Sequence, residues 1–191
     1  MGEANHTINL FATQSPLVQS VIEQEGVAFS RRIYVEKKYG KDAPLFLTVY
    51  DWLVGEMEKR VPKPQGAEYP YWLYENAYSA TSEAGDLLKL QLPREHCLFF
   101  DVYDWNKVLA LRFIGENAAE EQRFQQQLAD YGVRRPMDVM LSSFYPDLKR
   151  QLLDSWQRLF RHHDAIAAGL PHEAQSVQAA VWCLKKEWIQ K

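Results

Sequence analysis

The sequence predicts an α+β fold, in which short, mostly antiparallel strands form one or two small sheets and helices are inserted between them. Apolar and polar residues alternate in several short segments, which is typical of half-buried strands. Other, longer segments repeat apolar residues at helical spacing. The two kinds of segment are interspersed along the chain, as in α+β proteins. With 191 residues, of which 47% are hydrophobic, the chain has the size of one domain, residues 1–191, with its own core.

The first part of the chain predicts a strand, a helix and a basic segment. Residues 8–13 form the strand, and Pro16 begins the helix, because proline suits the first helical position. Gly26 fits the position just after the helix. Residues 30–41 read as a basic, irregular stretch. A long helix is expected over 44–60, since Leu45, Val49, Trp52, Leu53 and Met57 recur at helical spacing.

The remainder predicts strands separated by turns and helices. We expect strands over 69–75, 87–92 and 97–102, with a polar turn over 79–85. Asp101 or Asp104 caps a short helix that carries Trp105, Val108, Leu109 and Phe113, and Asp104 is the favoured cap. The later segments are an exposed helix over 117–127, a strong helix over 146–162, a loop over 165–173, a last strand over 177–184 and a tail over 185–191.

The charge balance argues against a protein that binds nucleic acid through bulk positive charge. The chain has 25 acidic and 22 basic residues and a net charge of -3. A local basic patch remains, formed by Arg31, Arg32, Lys37, Lys38 and Lys41. A solvated surface is the favoured interpretation of this patch. The alternative is a nucleic-acid binder in which Tyr34 and Tyr39 stack on bases.

The two cysteines and the terminal residues indicate a cytoplasmic protein. Cys97 and Cys183 each lie in an apolar run, which is typical of buried, reduced thiols. Residues 1–7 carry no targeting pattern. No apolar run reaches the roughly twenty residues of a membrane helix, so we expect no membrane partner.

Familiar cofactor and metal motifs are missing from the sequence. There is no glycine-rich phosphate loop and no nucleophile elbow. The set His162, His163, Asp164, His172 and Glu173 has the residue types of a zinc site. Its spacing matches no helical ligand motif, so surface or capping histidines are favoured and no metal is predicted.

Five of the six tryptophans lie in polar surroundings, and these surroundings resemble a known family. An indole beside Asp, Asn, Gln or Arg provides an apolar wall with a polar handle, which suits a cleft. Residues 49–60 are similar to the signature of the domain-of-unknown-function 3841 family of small bacterial proteins. The family's pattern continues, in order, through Tyr69-Pro70-Tyr71-Trp72, residues 98–106, 155–160 and 178–182, and its start resembles residues 10–14.

The first strand, the helix and glycine turn after it, and a late strand that begins Gln178-Ala179 more distantly resemble the small ADP-ribosyltransferase-like folds, including the DNA-modifying toxin type. That resemblance implies a cleft between two small sheets that holds NAD as substrate. It also implies a His or Arg on the first strand and a Glu on a late strand, where the Glu stabilises the ribosyl transition state. Here those positions fall near Ala12 and Ala180, with Gln178 two residues earlier. Either the chemistry uses other residues, which the sequence does not identify, or the cleft binds without turnover.

The resemblance defines a set of candidate ligand-binding residues. Thr13, Gln14 and Arg31 would lie near a phosphate or ribose, and Tyr71 and Trp72 would stack on a flat ring. Asp101, Asn106 and Gln178 would supply polar contacts, and Trp105 would line the same concave surface. The implied function is binding of NAD or a related nucleotide, in bacterial stress or phage defence. The alternatives are a non-catalytic module that binds a partner protein and the nucleic-acid binder described above.

Overall fold

The computed structural model describes residues 6–83 and 85–190, and it confirms the predicted α+β class. The strands are β1 (Thr7–Gln14), β2 (Val27–Phe29), β3 (Tyr71–Tyr74), β4 (Asp86–Pro93), β5 (Cys97–Asp101), β6 (Val177–Val181) and β7 (Cys183–Lys185). The helices are α1 (Pro16–Glu25), α2 (Arg32–Tyr39), α3 (Ala43–Glu58), α4 (Ala77–Ala80), α5 (Val102–Leu109), α6 (Ala118–Asp130), α7 (Pro136–Met140), α8 (Pro146–Trp156) and α9 (His163–Ala167).

The strands form two antiparallel sheets. The larger sheet has the order β4-β1-β3-β6-β5, and the smaller one pairs β2 with β7. Because β6 and β7 are separated by Trp182 alone, one run of chain passes from the larger sheet into the smaller. The Trp182 indole N–H donates to the carbonyl of Val61, 3.0 Å away, and this bond holds the crossing point against the end of α3.

Two apolar clusters cover opposite faces of the larger sheet. On one face, Leu98, Phe100 and Ala180 pack with residues of α3, α5, α6 and α8. On the other face, the cluster contains alternate strand residues, including Leu73, Phe99 and Ala179, and buried residues of α1 and α9. We refer to these as the α3 face and the α1 face. The alternation is the one expected of strands whose successive side chains point to opposite sides.

Several predicted boundaries are wrong. Residues 30–41 are not irregular, because α2 occupies most of them. This helix buries only Val35, so the sequence shows no helical repeat of apolar residues there. The predicted last strand over 177–184 is divided between two sheets. The turn over 79–85 contains part of α4, and the loop over 165–173 contains part of α9. The predicted helix through Phe113 ends at Leu109.

Other predictions concern segments that are described only in part. Residues 1–5, Ala84 and Lys191 lie outside the described residues. The predictions for residues 1–7, 79–85 and 185–191 are therefore tested only where the structure describes them. Within residues 6–83 and 85–190, no helix combines the length and the apolar character that crossing a bilayer requires.

The favoured cap of α5 is also wrong. Asp101, not Asp104, is the N-cap, and its Oδ1 accepts the amide of Tyr103 at 2.9 Å. Asp104 lies inside α5 at 4% exposure, where its carboxylate binds the guanidinium of Arg161 and lies 3.5 Å from the ammonium of Lys107. A buried carboxylate requires such compensation, and the compensating arginine is distant in sequence.

Candidate functional site

A transverse row of four residues crosses the larger sheet on its α3 face. Phe11 of β1 is paired with Tyr74 of β3, Tyr74 with Gln178 of β6, and Gln178 with Phe100 of β5. Directly paired residues in antiparallel strands project from the same face. The row therefore places a polar amide between two aromatic side chains, on the face where Phe100 contributes to the core.

The neighbouring row contains Trp72 and Ala180, which are also paired. Trp72 is half-buried, and its ring centroid lies 5.1 Å from that of Trp105 and 5.4 Å from that of Tyr50. Trp105 is buried at 3% exposure. Because Ala180 presents only a methyl group, the indole of Trp72 lies beside a shallow position on the sheet.

Two tyrosines from the helices complete this region. Tyr50, on α3, lies close to Tyr39 of α2, and its ring packs against the indole of Trp72. Burial, and then the contact with Tyr39, raises the pKa of Tyr50 above its usual range. Burial and Tyr39 likewise raise the pKa of Tyr74. These phenols consequently stay protonated at neutral pH and serve as hydrogen-bond donors and acceptors.

Gln178 is the unusual member of the group. The residue is 2% exposed, and its side-chain amide takes part in none of the hydrogen bonds within residues 6–83 and 85–190. Neither polar atom is wholly shielded, since every fully shielded side-chain nitrogen or oxygen in the described part of the chain has a partner. The amide is therefore open to a hydrogen bond from outside the described part of the chain, from water or from a polar group of a ligand.

Thr13 lies on the same side of β1 as Phe11, two residues further along. Its hydroxyl donates to the carbonyl of Ala80 at 2.6 Å, which fixes α4 against β1. We use the name Gln178 site for a set of six residues on the α3 face, namely Thr13, Tyr39, Tyr50, Trp72, Tyr74 and Gln178. The set contains no Asp, Glu, His, Lys or Arg, so it offers hydrogen bonds and flat apolar surface but no carboxylate or cationic side chain.

The structure brings together four of the nine predicted ligand residues. Thr13, Trp72, Trp105 and Gln178 lie on the α3 face. Tyr71 packs with the α1 face, because adjacent strand residues point to opposite sides, so it does not share a ring with Trp72.

The remaining four candidates lie elsewhere or have structural partners. Gln14 follows Thr13 on β1 and so points to the opposite side, and its carbonyl accepts from Gln19 at 3.0 Å. Asp101 uses both oxygens structurally, one on the α5 amide and the other on the amide of Gln175 at 2.6 Å. Arg31 is exposed at the start of α2, and Asn106 is exposed on α5.

The two alanines at the positions implied by the transferase resemblance lie on opposite faces. Ala12 belongs to the α1 face, and Ala180 belongs to the α3 face. They cannot mark one centre. On the face of Ala180, the first-strand residue nearest the same level is Thr13, and the polar residue of the late strand is Gln178.

Some side chains of the basic segment are engaged in contacts within the protein. The guanidinium of Arg32 lies 3.1 Å from Asp51 and 3.2 Å from Glu36, and Asp51 also accepts from the buried Tyr69 at 2.5 Å. Tyr39 stacks on Phe46 with ring centroids 3.6 Å apart, so it is not a free platform for a base. These contacts weaken the case for nucleic-acid binding at this patch.

The histidine group does not converge in the described part of the chain, where no three potential metal-binding side chains come together. His163 Nδ1 instead accepts the amide of Phe99, 3.1 Å away, at the edge of the larger sheet. Burial lowers the pKa of His163, with Arg60 acting in the same direction. The cysteines are also unsuited to nucleophilic work, because both are buried and burial raises the pKa of each thiol.

Sequence reasoning missed the three tyrosines of the Gln178 site. The position of Tyr74 could have been predicted, because it follows Trp72 by two residues on the same strand and therefore lies on the same face. Tyr50 lies in the long amphipathic helix, on the buried side. Tyr39 gave no such signal, since α2 was not predicted as a helix.

Comparison with known proteins gives one match. The model of a family described as "Domain of unknown function (DUF3841)" matches residues 9–190. No curated protein and no solved structure was found to match the chain. The match covers nearly every residue discussed above, including all six of the Gln178 site.

Proposed function

Because the chain belongs to the DUF3841 family, whose description assigns no activity, we propose from its residues that it binds NAD or a related nucleotide at the Gln178 site without transferring the ADP-ribose group. The observation that carries this proposal is the amide of Gln178, which makes no hydrogen bond within the described residues, although the residue is only 2% exposed and neither polar atom is fully shielded. A primary amide offers two donors and an acceptor, which suits ribose hydroxyls or a carboxamide.

Flat surface beside the amide supports a nucleotide over other hydroxyl-rich ligands. Trp72 is half-buried and lies one row from Gln178, so a planar base or nicotinamide ring can pack beside it. Tyr74 and Tyr50 add phenol hydroxyls near the same point. Ligand sites commonly combine apolar walls with a few placed polar groups in this way.

The neutral character of the site favours binding over transfer. A ribosyl transition state carries positive charge, and its stabilisation requires a carboxylate or an equivalent group. Gln178 and Ala180 provide none. Loss of one preorganised electrostatic group typically costs about a hundredfold or more in rate, so we expect NAD to be bound and left intact.

Titration calorimetry tests the proposal with NAD, ADP-ribose and adenosine as the probes. We expect micromolar binding of at least one of them, weakened about three- to tenfold by Gln178→Met, which is the effect of one lost neutral hydrogen bond. Gln91→Met is the matched control, since Gln91 is exposed on β4.

Three results would contradict the proposal. One is the absence of heat with all three probes, and another is binding that Gln178→Met leaves unchanged. The third is consumption of NAD in the same samples, which would refute the claim that no transfer occurs. The last result would be compatible with binding at the Gln178 site, but it would require catalytic residues outside that set.

A further inference from the structure

A second surface, separate from the Gln178 site, lies where α6, α7 and α8 meet. A hollow of about 680 Å³ is lined there by Val133, Arg134, Arg135, Leu141, Phe144 and Tyr145, among others. We call it the 132–145 hollow. It shares no residue with the Gln178 site, so the two can be altered independently.

The rim of this hollow exposes large apolar side chains. Phe144 is 83% exposed and Leu141 is 57% exposed, and Tyr131, just before the hollow begins, is 61% exposed. Isolated apolar side chains are common on protein surfaces, but adjoining ones around a hollow are typical of protein interaction sites. A single aromatic or aliphatic anchor fits such a hollow best, because anchors in pockets dominate many interfaces.

The charge of the hollow is small and positive. Arg135 is held by Asp138 through two bonds of 2.8 and 3.3 Å, so this pair contributes no net charge. Arg134 has no hydrogen bond or ion pair within residues 6–83 and 85–190, and it is exposed. The hollow therefore presents one uncompensated guanidinium, which suits one carboxylate.

The start of α8 adds to the preference for a carboxylate. Tyr145, which lines the hollow, is the N-cap of this 11-residue helix and makes no side-chain capping bond. Free amides at a helix N-terminus favour a negative group. Asp147 in the first turn is already paired with Arg150 at the surface.

We propose that the 132–145 hollow docks a segment of a partner protein that carries an aromatic or aliphatic anchor next to an Asp or Glu. The anchor packs against Leu141 and Phe144, and the carboxylate pairs with Arg134. A nucleic acid is disfavoured because it presents a phosphate at every nucleotide, and its binding depends on several uncompensated cations, whereas the hollow offers one.

Selection from a displayed library of random short peptides on the full chain tests this proposal. We expect the enriched peptides to combine an acidic residue with an adjacent apolar anchor. Binding of the best peptide, followed by fluorescence anisotropy, should weaken at least about tenfold with Phe144→Ser and with Arg134→Glu. Changing the acidic residue of the peptide to lysine should restore binding to the Arg134→Glu variant, which a general structural defect would not allow.

Two matched controls and an oligonucleotide complete the experiment. Arg31→Glu and Leu17→Ser alter exposed residues on other elements, and both should leave peptide affinity unchanged. Enriched peptides without acidic residues, or affinities that Phe144→Ser and Arg134→Glu do not change, would overturn the proposal. Stronger binding of fluorescent oligo(dT), lost in Arg134→Glu, would assign the hollow to nucleic acid instead.

Discussion

Replacing Gln178 by methionine should stabilise the fold while weakening ligand binding. The amide of Gln178 makes no hydrogen bond in the described part of the chain and keeps only slight access to solvent, so it bears part of the about 1–3 kcal/mol that a fully buried unpaired group costs. Methionine has similar length and no polar end, and exchanges that conserve volume cost less than about 1.5 kcal/mol. We therefore expect a net gain of up to about 1 kcal/mol in the free energy of unfolding, from the lost partial desolvation penalty less a small repacking cost.

Urea denaturation of the ligand-free protein measures this gain. The midpoint should rise at an unchanged m-value, since the surface exposed on unfolding stays the same. In a thermal scan, a chain of this size should gain about 2–4 °C for each kcal/mol. Gln91→Met, at an exposed strand position, should stay within about 0.5 kcal/mol of the parent protein. A loss of stability in Gln178→Met would show that the fold itself satisfies the amide and would remove the main support for a ligand there.

The remaining predictions concern pH and backbone geometry. Because burial lowers the pKa of His163, the unfolded chain binds its proton first, so stability should be complete above about pH 6.5 and fall below it. In His163→Leu, the urea midpoint should depend less on pH between about pH 5 and 7, whereas His172→Leu, at an exposed position, should leave that dependence unchanged. In Gly55→Ala, on α3, the added methyl group has no neighbour within 4 Å, so the free energy of unfolding, measured by thermal denaturation, should rise by about 0.8–1 kcal/mol. Gly85→Ala places Cβ 2.1 Å from the Gln14 carbonyl oxygen and should cost about 1–3 kcal/mol, so equal shifts in the two variants would contradict the packing described here.

The long elements could be predicted because their patterns are local. The helix α3 follows from the spacing of Val49, Leu53 and Met57, all of which are buried. The strand β4 follows from alternation, and its Leu90 and Leu92 are buried. By contrast, α2 buries one residue, and short segments such as α4 and α9 carry too few residues to show a period.

The site could be predicted only in part because it depends on pairing between distant strands. Gln178 and Trp72 were found from their polar and aromatic setting. The role of Asp104 depends on Arg161, which is 57 residues away, and no local pattern reveals that contact. The separation of Tyr71 from Trp72, however, follows from strand alternation alone and could have been predicted.

The close pair of indoles on the α3 face, Trp72 and Trp105, has a spectroscopic consequence. With centroids 5.1 Å apart and planes inclined by 32°, Trp72 and Trp105 are close enough for their electronic transitions to couple. Such an exciton pair gives a two-signed band in circular dichroism whose size depends on the mutual orientation of the chromophores. A ligand that binds against Trp72 should therefore change this band, so that occupancy of the Gln178 site can be followed by circular dichroism without a label or an assay of turnover.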